Sequence, residues 1–314
     1  MSKRVVYVTL QQFCEGTDEP NQVLRKAGFE VRQNDRGHRL TWQELLELLP
    51  EADAVIAGVE PYEAGLLKSL PRLRCISRCG IGTDSIDLEA AQNLDVAVLT
   101  TPDEVTEPVA QMTVAMILAL ARNFPLHWDD SRRGQWKKRT GVLLSEWRIG
   151  LIGFGRIGQA VERILRPFGP KILVSDPNLN RDSLAPGIEI CSTESLLAQS
   201  NLVSLHAGRP QEAGPLIGRR ELALMKPGAY LVNTARGALL DEAALGESLK
   251  SGHLAGAALD VFEVEPYNGP LAGLPQVLCT PHVSTLTRAS RAAMELKSAL
   301  NLVEFFSCLR PSRS

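Results

Sequence analysis

Residues 148–176, RIGLIGFGRIGQAVERILRPFGPKILVSD, constrain the chain more than any other stretch. The apolar run 149–152 is short enough to be a buried strand. Gly153, Gly155 and Gly158 follow in G-x-G-x-x-G spacing, and Ile157, Val161, Ile164, Leu165 and Phe168 then recur on one helical face. A second apolar run, 172–174, leads to Asp176. A glycine pattern alone would signify only a turn. Strand, glycine turn, helix, strand and acid together predict a dinucleotide-binding unit. Gly153 permits the tight turn, Gly155 lets backbone approach a pyrophosphate, and Gly158 lets the helix close on the strand. The helix start presents N–H groups and the positive end of its dipole to the phosphates. A carboxylate at Asp176 accepts from ribose hydroxyls and repels a 2′-phosphate, which favours NAD over NADP. The nearest cation, Arg181, stands several residues further on.

At 314 residues the chain is long enough for two domains, each with its own core. Hydrophobic residues make up 44% and charged residues 22%, ordinary for a globular protein, and the formal net charge of −2 gives no electrostatic footing for nucleic acid or an anionic membrane. The most apolar stretch, 109–121, is broken by Gln111 and Thr113 and falls short of the roughly 18 residues of a spanning helix. The N-terminus runs straight into a strand-like pattern without a signal peptide's apolar region, so a cytoplasmic protein is expected. Cysteines 14, 75, 79, 191, 279 and 308 form no C-x-x-C pair and have no histidine at zinc-like spacing. They read as small apolar residues kept reduced, and no metal site is expected.

Strand-like runs at 4–10, 28–33, 53–58 and 73–78, with helical patterns at 42–49 and 64–70, predict parallel βαβ units in a first block ending near Leu99. The fourth run ends in Arg78-Cys79-Gly80-Ile81-Gly82-Thr83-Asp84, a glycine loop at the edge where open α/β sheets bind ligands. It is either a connection with a surface arginine or an anion site. In the second reading Arg78 supplies a fork and the Gly80 and Gly82 N–H groups cradle oxygens. Thr106 and Pro108 predict an N-cap and first turn for a helix that is apolar nearly all round from 109 to 120, hence buried, in part by another subunit. Trp128, Trp136 and Trp147 in the charged segment after it are expected to pack against a partner or a domain edge.

Beyond the glycine unit, strand-like runs at 201–205, 229–233, 256–260 and 277–280 end in His206, in Thr234-Ala235-Arg236-Gly237, in Asp260 and in Pro281-His282. Polar groups at successive carboxyl ends of strands converge on one crevice. The last segment, 287–309, reads as an amphipathic helix expected to pack back on the first block. A nicotinamide enzyme acting on a hydroxy acid needs a cation for the carboxylate, a proton carrier and a group that tunes the carrier. Arg236 supplies a bidentate fork, His282 an imidazole, and Glu265 or Glu263 an acceptor for the imidazole. Spacing alone also allows Arg236 to be a structural ion pair and His206 to touch cofactor; His38, His127 and His253 read as surface or packing residues.

Gly153-Phe154-Gly155-Arg156-Ile157-Gly158, Asn233-Thr234-Ala235-Arg236-Gly237, Ala258-Leu259-Asp260-Val261-Phe262-Glu263 and Thr280-Pro281-His282 stand in this order along the chain. In these motifs, and over nearly all its length, the chain resembles the D-isomer-specific 2-hydroxyacid dehydrogenases, most of all the D-3-phosphoglycerate dehydrogenase branch. The resemblance implies two doubly wound parallel-sheet α/β domains with a cleft between them. A Rossmann cofactor domain, 100–285, is inserted into a flavodoxin-like substrate domain made of 1–99 and 286–314. It further implies NAD as cofactor, a small 2-keto or 2-hydroxy acid as substrate, and a homodimer formed around the cofactor domain.

The same resemblance selects Glu265 over Glu263 and makes Arg236, Glu265 and His282 the catalytic residues, with Arg236 holding the substrate. Asp260 then orients the nicotinamide carboxamide and Arg156 reaches the pyrophosphate, with Ile157, His206, Thr234 and Ala235 also beside the cofactor. Substrate binding falls to Arg78, Cys79, Gly80, Ile81 and Gly82 together with Arg236. The implied reaction passes hydride from NADH to the carbonyl carbon of a 2-keto acid while His282 protonates the oxygen; oxidation is the reverse.

Arg78 in the R-x-G-x-G loop points to a second anion, so a phosphoglycerate-like dianion is the first expectation for the substrate. Glyoxylate or hydroxypyruvate reduction and phosphite dehydrogenation are alternatives, the last because residues 102–108 resemble phosphite dehydrogenases. An NAD(H)-sensing corepressor or scaffold is an alternative of another class. Ala207-Gly208-Arg209-Pro210 departs from the family's leucine-proline and threonine, and Gln111 stands where glutamate is common. Glu265 argues against formate dehydrogenation, whose enzymes on this scaffold carry glutamine there. No regulatory domain is expected after the last helix.

Overall fold

A computed structural model describes residues 3–179, 186–208 and 214–308, so Arg181, Arg209, Pro210 and Leu309 lie outside the described residues. The chain divides into two compact units, Met1–Val105 with Leu286–Ser314 and Thr106–Thr285.

In the first unit strand and helix alternate: β1 (Val5–Val8), α1 (Glu19–Lys26), β2 (Glu30–Gln33), α2 (Trp42–Leu48), β3 (Ala54–Ala57), α3 (Ala64–Lys68), β4 (Cys75–Arg78), α4 (Leu88–Asn93) and β5 (Ala97–Leu99). The five strands form one parallel sheet in the order β2-β1-β3-β4-β5, the flavodoxin-like arrangement. β1 and β3 are buried along their whole length, because helices cover both faces of a parallel sheet. Local signals start the helices: Thr41 and Glu44 form a reciprocal capping box on α2, and Asp87 caps α4. The final helix, Arg288–Cys308, packs on α1 and β4 and buries Met294, Ala299, Leu302 and Phe306 among Val6, Val8 and Leu24. The unit runs six residues beyond the boundary expected after Leu99. Thr101 donates its N–H to Gly80 O at 2.9 Å and accepts the Gly80 N–H on Oγ1 at 2.8 Å, which ties the connecting segment to the sheet.

The second unit opens with α5 (Thr106–Ala121) and α6 (Phe124–Arg132). There follow β6 (Arg148–Ile152), α7 (Arg156–Leu165), β7 (Lys171–Ser175), β8 (Ile188–Ile190), α8 (Thr193–Gln199), β9 (Leu202–Leu205), α9 (Arg219–Leu224), β10 (Ala229–Asn233), α10 (Glu242–Lys250), β11 (Leu254–Leu259) and β12 (Val277–Cys279). Seven parallel strands lie in the order β12-β11-β10-β9-β6-β7-β8. The order reverses between β6 and β9, and open α/β sheets take ligands at that reversal, beyond the carboxyl ends of the strands. α5 lies against α7, β10 and β11, so its nearly continuous apolar surface is largely covered within its own unit, and Thr106 belongs to its first turn rather than capping it. Trp147 is buried against Tyr230, whereas Trp128 and Trp136 are exposed. Among the described residues no single helix is long and apolar enough to cross a membrane.

Candidate active site

The glycine turn joins β6 to α7 at the reversal point of the second sheet. Gly153 has φ +89°, and a Cβ there would stand 2.6 Å from the backbone nitrogen of Ala207. One on Gly158 would stand 2.5 Å from the carbonyl oxygen of Gly153. Gly155 immediately precedes α7, is exposed, and has nothing within 4 Å of a Cβ position. Two of the three glycines are thus demanded by the chain itself. The third leaves backbone open beside the first-turn N–H groups of α7, which have no carbonyl partner within the helix. Arg156 is exposed in this turn, and Ile157 is half-buried against the core. Asp176, just past β7, accepts the Phe154 N–H at 2.6 Å and the Asn178 N–H at 2.8 Å. A carboxylate has about four lone-pair sites. Two therefore suit ribose hydroxyls, and the cradle as a whole fits a dinucleotide pyrophosphate and its adjacent ribose.

His206 follows β9 on the other side of the reversal. Its N–H donates to Ile152 O at 2.7 Å, and Nε2 lies 2.9 Å from Ser204 Oγ. Nδ1 is buried without a partner among the described residues, and burial pushes the imidazole from 6.5 down to about 4, so the ring is neutral at physiological pH. The unfolded chain takes up this proton near pH 6.5, the folded chain only near 4. Between those values the unfolded state binds more protons, so stability falls as pH falls. His206→Gln should flatten the dependence of Tm on pH across that window. An unchanged slope in calorimetric scans would show the imidazole already charged in the folded protein.

Thr234, Ala235 and Arg236 turn sharply beyond β10. The turn is stapled by buried Asn233, which accepts the Ala235 N–H at 3.0 Å and donates to Arg236 O at 2.8 Å. Thr234 Oγ1 lies 2.7 Å from Thr113 Oγ1 on α5. Arg236 is half-buried, and its Nη1 donates to Ala235 O at 2.7 Å. Behind the turn Gly237 lies directly against the Phe262–Glu263 peptide, where a Cβ would be 1.9 Å from the Phe262 carbonyl carbon.

Beyond β11 and β12 the chain brings Asp260, Glu265 and His282 together. His282 Nδ1 lies 2.8 Å from Glu265 Oε2, and Glu265 Oε1 accepts the Phe262 N–H at 3.0 Å. An ionised carboxylate only accepts, so Nδ1 is the protonated ring nitrogen and Nε2 is left for exchange with a ligand. Glu263 is in a different position. Its N–H donates at 2.7 Å to Glu242, at the start of α10, whose carboxyl is raised by burial and then by Glu263 and Glu265 nearby. Asp260 is wholly buried and accepts from Thr280, Val283 and Ser284.

In the first unit the loop after β4 differs in two particulars from the expected anion cradle. Gly80 spends its N–H on Thr101, so Ile81 and Gly82 supply the N–H groups without a partner among the described residues. Arg78 turns back on its own loop, donating from Nε to Gly82 O at 3.0 Å and from Nη1 to Cys79 O. Its guanidinium lies over Gly80, where a Cβ would be 2.8 Å from Nη1. The buried Glu60 carboxylate, held by Thr9 and the Gly58 N–H, lies near enough for Arg78 to draw its raised pKa down. Cys79 is buried, and burial pushes its thiol up to about 11.

Thr113, Asn233, Glu242, Thr280 and Ser284 anchor the site and were not singled out from sequence. Only Asn233 and Thr280 carried a signal, as members of the motifs around Arg236 and His282.

Residues 114–284 match the family model of the D-isomer specific 2-hydroxyacid dehydrogenase NAD binding domain. Glyoxylate reductase from Aeropyrum pernix is 37% identical over 97% of this chain and 93% of its own length. D-3-phosphoglycerate dehydrogenase from Methanocaldococcus jannaschii is likewise 37% identical, over 88% of this chain but only 54% of its own length. Among solved structures, the TT0316 protein from Thermus thermophilus superposes with a TM-score of 0.87 at 34% identity, covering 98% of each chain. With its glycine cradle, its carboxylate–imidazole pair and relatives spanning both units, the chain belongs to the D-isomer-specific 2-hydroxyacid dehydrogenases, NAD-dependent oxidoreductases of the CH–OH group.

Proposed function

We propose that the protein reduces a compact 2-keto acid with a single negative charge, glyoxylate or hydroxypyruvate in type, to the D-2-hydroxy acid. The observation that carries the reaction is the 2.8 Å contact between His282 Nδ1 and Glu265 Oε2. With Nδ1–H held there, Nε2 delivers a proton to the carbonyl oxygen in reduction and removes it in oxidation. Glu265 fixes the ring and favours its charged form. Arg236 supplies the fork for the substrate carboxylate. NADH bound at the glycine turn supplies the hydride that reaches the carbonyl carbon.

Arg78 is the reason to prefer a monoanion over the phosphoglycerate-like dianion expected from sequence. Nε and Nη1 are turned onto the loop's own carbonyls, which suits a clamp that shapes the Ile81 and Gly82 N–H groups rather than a second anion receptor. The Aeropyrum glyoxylate reductase, matched over nearly its full length, supports this reading. Exposed Phe124, Trp128, Trp136 and Leu143 on the second unit support a homodimer, and six free thiols suit the cytoplasm.

The test is oxidation of NADH and of NADPH against glyoxylate, hydroxypyruvate, 3-phosphohydroxypyruvate and phosphonopyruvate. Glyoxylate or hydroxypyruvate should give the highest kcat/KM, with NADH preferred, and Asp176→Ala should narrow that cofactor preference. A preference for the phosphorylated or phosphonate acids would return Arg78 to the second anion. NADH binding with no turnover on any acid would favour the sensor or scaffold.

A further inference from the structure

Three neighbouring strands of the first sheet, β1, β3 and β4, end side by side, and each is followed or closed by a polar side chain of one cluster. Thr9 follows β1, Glu60 lies three residues past β3, and Arg78 closes β4, where it pairs in register with Ala57. Glu60 is only 2% exposed, although it belongs to a connecting loop. Its Oε2 accepts from Thr9 Oγ1 at 2.9 Å and from the Gly58 N–H at 2.8 Å. The buried Tyr62 hydroxyl lies 2.9 Å from Thr9 Oγ1. Burial works against a charge on Glu60, whereas Thr9, the Gly58 N–H and the Arg78 guanidinium favour it. An ionised carboxylate only accepts and a threonine has one hydroxyl proton, so Thr9 donates to Glu60 and Tyr62 donates to Thr9.

The two charged side chains mirror one another across the paired strand ends. Each folds back over the glycine just beyond its strand: a Cβ on Gly58 would stand 2.8 Å from Glu60 Oε1, and one on Gly80 would stand 2.8 Å from Arg78 Nη1. The Cys79 N–H donates to Ala57 O at 2.9 Å and keeps the two turns together. A fixed carboxylate and a fixed guanidinium therefore share one edge of the sheet, beside the Ile81 and Gly82 N–H groups.

We propose that Glu60 is a specificity-determining residue: its negative charge, built into the sheet edge beside Arg78, offsets the cation there and turns away a keto acid that carries a second anion. The proposal rests on the monoanion reading given above and names the residue responsible for it. A phosphate or phosphonate brought to Arg78 would be stripped of water next to a buried carboxylate that Thr9 and Gly58 hold in place. Like charges so placed discriminate against the wrong ligand, while an acid with one charge meets no such repulsion.

The experiment compares wild type, Glu60→Gln, Thr9→Val and Arg78→Met. It reads the ratio of kcat/KM for 3-phosphohydroxypyruvate to that for hydroxypyruvate. Calorimetric binding of D-3-phosphoglycerate and D-glycerate to the NAD-loaded protein gives the same ratio without turnover. Gln at 60 keeps an oxygen for Thr9 and the Gly58 N–H and removes only the charge. The ratio should rise about 10- to 100-fold in Glu60→Gln, the size of one charge–charge interaction at a partly buried site. Thr9→Val removes a neutral hydroxyl and keeps the charge, so its ratio should stay within about threefold of wild type. Arg78→Met leaves the carboxylate alone, and the ratio should fall about tenfold or more; any general loss from the altered loop cancels in it. A ratio unchanged in Glu60→Gln, or in Arg78→Met where Glu60→Gln does not fold, overturns the proposal. So does a Thr9→Val shift as large as that of Glu60→Gln, because packing rather than charge would then set the ratio. A wild type that already prefers the phosphorylated acids defeats the monoanion reading itself, whereas an unchanged ratio in the variants defeats this proposal alone.

Discussion

His282→Ala should lower kcat by about 10²–10⁴-fold while NADH binding stays within a few-fold, the range a placed general acid–base contributes. The imidazole stands at the head of a short relay: Phe262 N–H to Glu265 Oε1, then Glu265 Oε2 to His282 Nδ1 at 2.8 Å. Removing the ring leaves no group at that point to move a proton at the carbonyl oxygen. The glycine turn and Asp176, which carry the cofactor fit, lie at β6, α7 and β7, whereas the relay lies beyond β11 and β12. Hence turnover and NADH affinity should separate. Glu265→Gln retains an acceptor for Nδ1–H but removes the negative charge, so its loss should be smaller, about 10- to 100-fold, again with NADH affinity kept. Single-turnover kinetics with fluorescence titration measures both quantities. Full activity in His282→Ala would show that the proton comes from elsewhere.

How much of this was legible in the sequence follows from the range of the interactions. The glycine turn was readable because each glycine answers a local demand: a positive φ at Gly153, a close helix–strand approach at Gly158, an open backbone at Gly155. Ends of strands were readable as well, since apolar runs stop where polar groups begin. The anchors were not. Thr113 meets Thr234 from 121 residues away, and Ser284 meets Asp260 from 24 residues away, with no periodic pattern to announce either pair. Arg78 shows another limit. Its spacing to the glycines was plain, but the direction of a flexible side chain depends on which carbonyls the loop leaves unpaired, and here it folds back on Cys79 and Gly82. The three-residue β5 escaped notice for want of length, and the first unit ends at Val105 because Thr101 bonds to Gly80 from beyond that strand.

Gly237→Ala should disable the enzyme from a position that touches no ligand by its side chain. A methyl at 237 would stand 1.9 Å from the carbonyl carbon of Phe262, 2.1 Å from its oxygen and 2.3 Å from the nitrogen of Glu263. All three are backbone atoms, so no change of rotamer relieves the overlap, and the two segments must separate by about 1 Å or more. Neither can move freely. The Arg236 side is stapled by Asn233. The facing side is held by the Phe262 N–H on Glu265 and the Glu263 N–H on Glu242. Separation therefore draws Arg236 away from Glu265 and, through Glu265, disturbs His282. A displacement of this size should lower kcat/KM by about a hundredfold or more. Overpacking costs about 1–3 kcal/mol, which in a unit of this size lowers Tm by several degrees. Gly155→Ala supplies the contrast, because a Cβ there meets nothing within 4 Å: Tm should hold while NADH binding weakens, the methyl occupying the space open to a pyrophosphate. Calorimetry beside kcat/KM for the two variants decides the matter. A Gly237→Ala protein with wild-type Tm and kcat/KM would mean that the Arg236 and Glu265 segments can part without consequence, and the close backbone contact between them would lose its role in the site.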